Sequence, residues 1–142
     1  MIAIIRISGK VELGKGVENA LFRLRLRKKY ACVVLEASEE LQGTLNKLRD
    51  FVAYGTLDRD TLKELIIKRA RAPGNKAIKT DAEKVIKELE SGKVKKSWEE
   101  LGIKPFFRLH PPRGGIDSKQ HYPKGVLGDN KEGINKLIRR ML

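Results

Sequence analysis

Three short apolar runs separated by two stripes of helical period, with carboxylates thinning out toward the C-terminus, predict an α+β chain. Residues 1–57 are expected to form a split βαβ, ferredoxin-like core of order β-α-β-α-β, its helices on one face of a small sheet. Residues 58–142 are expected to add a C-terminal extension, with helices in 58–103 and a basic loop and tail in 104–142.

Ile2 to Ile7 is an apolar run of strand length closed by Ser8-Gly9. Val17, Ala20, Leu21 and Leu24 recur at i, i+3, i+4 and i+7, one face of a helix. That helix should end near Arg27 to Lys29, where cations complement the negative end of its dipole. Tyr30 to Glu36 (YACVVLE) is β-branched enough for a buried strand. Ser38 is placed to cap a second helix, with Glu39 and Glu40 in its first turn and Leu41, Leu45 and Leu48 along one face. Phe51 to Tyr54 reads as a third strand, ending at Gly55. Between the first strand and helix, Gly9 to Gly16 (GKVELGKG) lacks a phosphate-loop spacing and reads as a plain connection.

In the extension, Asp58 or Asp60 can cap a helix carrying Leu62, Leu65, Ile66 and Arg69. A loop, KRARAPGNKAIKT, follows, with Pro73-Gly74-Asn75 as its turn. A further helix starts near Thr80-Asp81, carries Ala82, Val85, Ile86 and Leu89, and stops at Ser91-Gly92. Ser97 is placed to cap one more turn, Trp98 to Leu101, ended by Gly102. Lys104 to Leu109 is a candidate final strand, residues 110–130 a Gly/Pro/basic loop, and Ile134 to Leu142 a short closing helix.

Composition bounds the function. Lys+Arg number 31 against 18 Asp+Glu, a net charge of +13 and a pI near 10.0. Such a surplus selects partners rather than folds, and a nucleic acid or an anionic membrane are the two candidates. Apolar runs such as Ala31 to Leu35 are far too short to span a bilayer, and MIAIIRI carries neither the charged start nor the cleavage site of a secretory signal. Apolar residues make up 40% of the chain, enough for a real core, and aromatics only 6%, so that core is aliphatic. The single cysteine, Cys32, sits in an apolar run; it excludes an internal disulfide, fits a reducing cytoplasm and reads as a small buried hydrophobe.

Three stretches carry the chemistry. Phe106 to Gly115 (FFRLHPPRGG) sets two rings, Arg108, His110 and Arg113 on a backbone that proline and glycine make irregular, without one carboxylate. A stiff, basic, aromatic loop suits a polyanion with flat bases, which is RNA. The stretch from Lys68 to Lys79 holds five cations (Lys68, Arg69, Arg71, Lys76, Lys79), again without Asp or Glu. Turn amides and guanidinium forks there suit phosphate oxygens; otherwise it is a solvated loop. Arg23 to Lys29 (RLRLRKK) places five cations in seven residues. If helical, Arg23 and Arg27 share a face, where like charges repel unless an anion lies between them; the alternative is a solvated helix end. His110 and His121, with Cys32, match no zinc spacing, and no catalytic grouping of Ser, His and Asp or of paired carboxylates is present, so neither a metal, a cofactor nor an enzyme is expected. His110 between Leu109 and Pro111-Pro112 either stacks on a base or supports its loop.

Those residues give the chain a family likeness. It resembles the large-subunit ribosomal proteins that bacteria number thirty and eukaryotes number seven, and most of all their archaeal form. Residues 1–57 are similar to the short bacterial member, including GTLNKLRDFVAYG (Gly43 to Gly55). Residues 58–142 resemble the extension of archaeal and eukaryotic members, marked by KRARAPGNK (Lys68 to Lys76), FRLHPPRGG (Phe107 to Gly115) and HYPKG (His121 to Gly125). IDSKQ after Gly115 departs from that pattern, with Asp117 where a more basic, glycine-rich sequence is expected. The resemblance implies a cytoplasmic, ribosome-bound structural protein held against large-subunit (23S-type) ribosomal RNA, with 5S RNA and other large-subunit proteins nearby, and with no membrane or small-molecule substrate. The residues expected to contact RNA are Arg23, Arg25, Arg27, Lys28 and Lys29 at the first helix end and Lys47 and Arg49 on the second helix. To these add Lys68, Arg69, Arg71 and Lys76 in the middle loop, and Arg108, His110, Arg113, His121 and Lys124 in the tail loop. Two readings from other classes are a free RNA-binding or regulatory module on the same fold, and a nuclease. A small-molecule regulatory module predicts a modest net charge and an acidic or polar pocket, a nuclease clustered carboxylates.

Overall fold

A computed structural model describes residues 1–9, 13–78, 81–91, 98, 100–115, 120–122 and 124–142. The first strand, β1 (Ile2–Arg6), is the middle of the sheet. It pairs antiparallel on one side with β2 (Ala31–Leu35) and on the other with β3 (Val52–Thr56), so that Ile4 faces Val33 and Tyr54 at once. The two flanking strands therefore run parallel to each other with β1 inserted between them, the split βαβ arrangement.

Side chains alternate across a pleated strand, and here both sets are covered. Ile4, Val33 and Tyr54 pack with Leu21 of α1 (Lys15–Arg23) and with Leu41, Leu45 and Leu48 of α2 (Glu39–Leu48). Ala3, Ile5, Cys32, Val34 and Ala53 point the other way, into a larger core. That core is closed by α3 (Arg59–Arg69), α4 (Ala82–Ser91), Trp98 and a closing helix, α5 (Gly133–Met141). Helices lie on one face only as far as residue 57; the extension covers the opposite face. The unbroken apolar run of β1 fits this, since a strand buried on both sides has no polar alternation.

The extension also lengthens the sheet. Its strand β6 (Phe107–Arg108) pairs antiparallel with β2, and β7 (Gly128–Asp129) pairs parallel with β3, giving the order β6-β2-β1-β3-β7. The first lies inside the expected 104–109. The second falls within the stretch expected to be loop, because Gly-Asp has no strand propensity. Tertiary bonds hold it: Asn130 N donates to Tyr54 O (2.7 Å), and Asn130 Nδ2 to Val126 O (2.7 Å) and Gly128 O (3.1 Å).

Two boundaries move for physical reasons. Helix α1 stops at Arg23, four residues short of the earliest end expected, Arg27. Arg25 adopts φ 64°, Leu26 N donates to Leu21 O (2.9 Å) and Arg25 N to Phe22 O (3.0 Å). These are the two bonds of a Schellman termination, completed by buried Leu26 sharing a core with Leu21. An arginine rather than a glycine takes the left-handed position. The stretch Lys68 to Lys79 is likewise not one loop. Lys68 and Arg69 end α3, and β4 (Arg71–Ala72) pairs with β5 (Lys76–Ala77) as a hairpin whose tip holds Gly74 at φ 84° and Asn75 at φ 60°.

Several further element expectations hold. Ser38 Oγ accepts from Leu41 N (3.1 Å) as a helix cap. Asp58 is the N-cap residue of α3, although its own side chain makes no capping bond; its amide instead donates to Asn135 Oδ1 of α5 (2.8 Å). The stripe Ala82, Val85, Ile86 and Leu89 is buried, as are Leu62, Leu65 and Ile66. Gly102 ends the short turn at φ 66°, after Trp98 has packed edge-on against Phe107. Lys79, Thr80, Gly92, Ser97 and the departure at 116–119 lie outside the described residues.

Candidate nucleic-acid interface

Two stretches far apart in the chain converge at the β6 edge of the sheet. Lys104 N donates to Arg71 O (2.9 Å) and Lys104 Nζ to Asn75 Oδ1 (2.6 Å), tying the β4–β5 hairpin to the segment that enters β6. Between them Arg69, Arg71, Asn75, Lys104, Phe106 and Arg108 line a cleft of about 210 Å3. Arg108 Cζ stands 5.2 Å and Lys104 Nζ 5.8 Å from the centroid of the Phe106 ring, both within cation–π range. No carboxylate lines the cleft. Among the described residues Arg59–Glu90, Lys63–Glu83 and Arg139–Glu64 are ion pairs, and none of them involves the four cations here.

Next to this edge lies the turn after α1. Arg23, Arg25, Arg27, Lys28 and Lys29 are all exposed. Arg27 leaves the helix, so the expected repulsion with Arg23 on one helical face does not arise; its guanidinium lies 4.2 Å from the ring centroid of Phe22 instead. Lys29 Nζ similarly sits 5.1 Å from the Tyr30 ring. The turn is pinned from below by Arg6, which is 3% exposed. Its Nε donates to Ser8 O (2.9 Å), one terminal nitrogen to Leu26 O (2.8 Å) and the other to Gly9 O (3.3 Å). Burial pushes the Arg6 pKa down and the charge of Glu18 opposes that shift; the guanidinium answers its burial with three carbonyl bonds, as a buried charge must.

The other expected residues lie elsewhere. Lys47 and Arg49 are exposed at the end of α2, on the β7 side, where His121 and Lys124 also sit. There His121 Nε2 faces Asp50 Oδ1 at 2.7 Å and its Nδ1 abuts Gly128, where an added Cβ would come to 2.9 Å. His110 and Arg113 dock on the C-terminal end of α5: their amides donate to Met141 O (3.2 Å) and Arg140 O (3.0 Å). Both ring nitrogens of His110 face main-chain oxygens, of Pro111 and Leu142, each at 2.5 Å. Lys68, in the last turn of α3, and Lys76, on β5 of the hairpin, are exposed.

No protein-family model matches the chain. Among characterised proteins it is 38% identical to large ribosomal subunit protein uL30 of Archaeoglobus fulgidus, over 99% of each chain. It is 41% identical to the uL30 of Desulfurococcus amylolyticus, over 100% of this chain and 98% of the relative. With the uL30 of Nanoarchaeum equitans the figures are 36%, 100% and 99%. Identity at this level along the full length decides the family. The chain belongs to the uL30 family.

In this uL30 chain, the geometry adds residues that sequence patterns passed over. Lys104 is one addition: it joins Phe106 and Arg108, both already singled out in the basic loop, and the i, i+2, i+4 spacing of the three is the signal that could have grouped them. Arg140 Nε donates to Arg113 O (2.9 Å) and a terminal nitrogen of Arg140 to Gly115 O, so α5 holds the Pro-Pro-Arg-Gly-Gly turn in place. Arg6 had no signal, because an arginine closing an apolar strand looks like a solvated strand end. The two histidines act here as braces: His110 between the tail turn and α5, His121 between β7 and Asp50.

Proposed function

We propose that this chain is a non-catalytic structural constituent of the large ribosomal subunit, held against large-subunit ribosomal RNA by three basic surfaces. The first is the β6 edge with the turn after α1: Arg23, Arg25, Arg27, Lys28, Lys29, Lys68, Arg69, Arg71, Lys76 and Arg108. The second is the β7 side with Lys47, Arg49, His121 and Lys124, and the third the end of α5 with His110 and Arg113. The observation that carries the reading is the acid-free cleft at the β6 edge, in a chain of net charge +13. Phosphate neutralisation by many scattered cations, each contributing a little, is how a protein seats on folded RNA. Its place is the ribosome in the cytoplasm, with 5S RNA and other large-subunit proteins as neighbours.

Sedimentation of native lysate through a density gradient at low and high salt, with immunodetection of the chain, tests this. The expected result is co-migration with the large subunit, abolished only by stringent salt washing. A protein that stays at the top of the gradient at low salt would make the chain a free RNA-binding protein.

A further inference from the structure

We propose that the cleft between the β4–β5 hairpin and β6 takes a single unpaired nucleotide, its base against the Phe106 ring and its phosphate among Arg69, Arg71, Lys104 and Arg108. The proposal rests on the RNA-binding reading and narrows it: the RNA at this edge is a bulge or loop, not continuous duplex.

Shape argues first. An A-form helix is convex and keeps its bases stacked inside, so it offers phosphates and 2′-hydroxyls to a protein but no base face. It could touch Arg71 and Arg108, which are exposed on the rim, yet could not reach a partly buried ring inside a concavity. At about 210 Å3 the cleft is smaller than the roughly 300–1,000 Å3 of sites for drug-sized ligands, room for one nucleotide's base and phosphate rather than a strand.

Chemistry argues second. Arg108 Cζ and Lys104 Nζ stand 5.2 and 5.8 Å from the ring centroid, which brings stacking surface and phosphate charge within one nucleotide's reach. Asn75 supplies a third element. Its Oδ1 accepts from Lys104 Nζ (2.6 Å), so the two amide N–H groups remain as donors for a base edge or a phosphate oxygen. The same bond orients those donors, from a hairpin tip where Asn75 adopts φ 60°. The hairpin is itself tied to the strand by Lys104 N to Arg71 O, so both walls form before any RNA arrives.

The test uses the full chain and two synthetic RNA hairpins of the same stem sequence, one fully paired and one carrying a single 2-aminopurine bulge. Fluorescence anisotropy gives the two affinities, and 2-aminopurine emission reports stacking. The bulged hairpin is expected to bind about tenfold tighter, with quenched emission. Phe106→Leu should erase both the preference and the quenching, bringing the two hairpins to the same affinity. Because Phe106 also packs against the core, Asn75→Gly provides a second variant: it keeps the turn conformation and should cut the preference several-fold. Equal affinity for the two hairpins overturns the proposal, as does quenching that survives Phe106→Leu. Failure to bind either hairpin at low salt would overturn the RNA-binding reading itself, a different result from equal binding.

Discussion

Cys32 shows how far a single side chain's environment departs from its chemistry in water. It is fully buried between the sheet and the extension helices, and desolvation pushes its pKa from the usual 9.0 up to about 12. The unfolded chain therefore gives up the thiol proton first. Between about pH 9 and 12 the native state binds one proton more than the unfolded state, so stability falls with rising pH, by about 1.4 kcal/mol per unit. Below about pH 8 the contribution is constant. The comparison is with Cys32→Ala, in which urea midpoints should decline less steeply from about pH 9 to 11 than in the native chain. Parallel declines would show that the thiol ionises in place. At this scale the sequence was readable: an apolar neighbourhood marked Cys32 as core. It was silent on Arg6, since burial of an arginine depends on three carbonyls from residues 8, 9 and 26 that only the folded turn brings together.

Elements whose residues repeat at a clear period were readable too, and those fixed by a partner were not. The stripes of α1, α2, α3 and α4 all pack into the two cores. The end of α1 departs from its sequence pattern because a left-handed residue there is normally glycine and here is Arg25. Strand β7 has no periodic signal at all, being placed by Asn130 and by the docking of α5. That docking has a close point. A Cβ on Gly55 of β3 would overlap the carbonyl oxygen of Lys131 and stand 2.9 Å from Ile134 Cβ, while Thr56 N already donates to Lys131 O (3.0 Å). Gly55→Ala must push the start of α5 off the sheet and is expected to cost about 1–3 kcal/mol in urea unfolding. Gly43 lies in the exposed side of α2 with nothing within 4 Å of its added Cβ, so Gly43→Ala should stabilise by about 0.5–1 kcal/mol through helix propensity. If Gly55→Ala costs nothing, the packing of α5 on β3 is looser than described, and if Gly43→Ala destabilises, α2 is not limited there by helix propensity.

For the whole molecule, composition announced the partner class but could not announce the layout. A surplus of cations says polyanion; only the strand order shows that β6 and β7 are opposite edges, so that residues from one tail loop land on separate surfaces. Arg108 stands at the β6 edge and Arg113 at the end of α5, both exposed, and Arg113 is held through its main chain rather than its guanidinium. Replacing both with Ala therefore removes charge without removing packing. What the fold gives up is the pairing of Arg108 with the Phe106 ring, about 0.5–1 kcal/mol for an exposed cation–π pair, which moves the melting temperature by roughly 2–4 °C. Affinity for large-subunit ribosomal RNA should respond far more. Each phosphate that a cation no longer neutralises lowers the slope of log K against log salt by roughly 0.7–0.9, so the double variant should show a slope shallower by between about one and two, with the largest weakening of binding at low salt. A change in affinity with the slope intact would mean that neither arginine meets a phosphate. A collapse of the melting temperature would mean that they hold the fold, and the basic surfaces would then have to be redrawn around the remaining lysines and arginines.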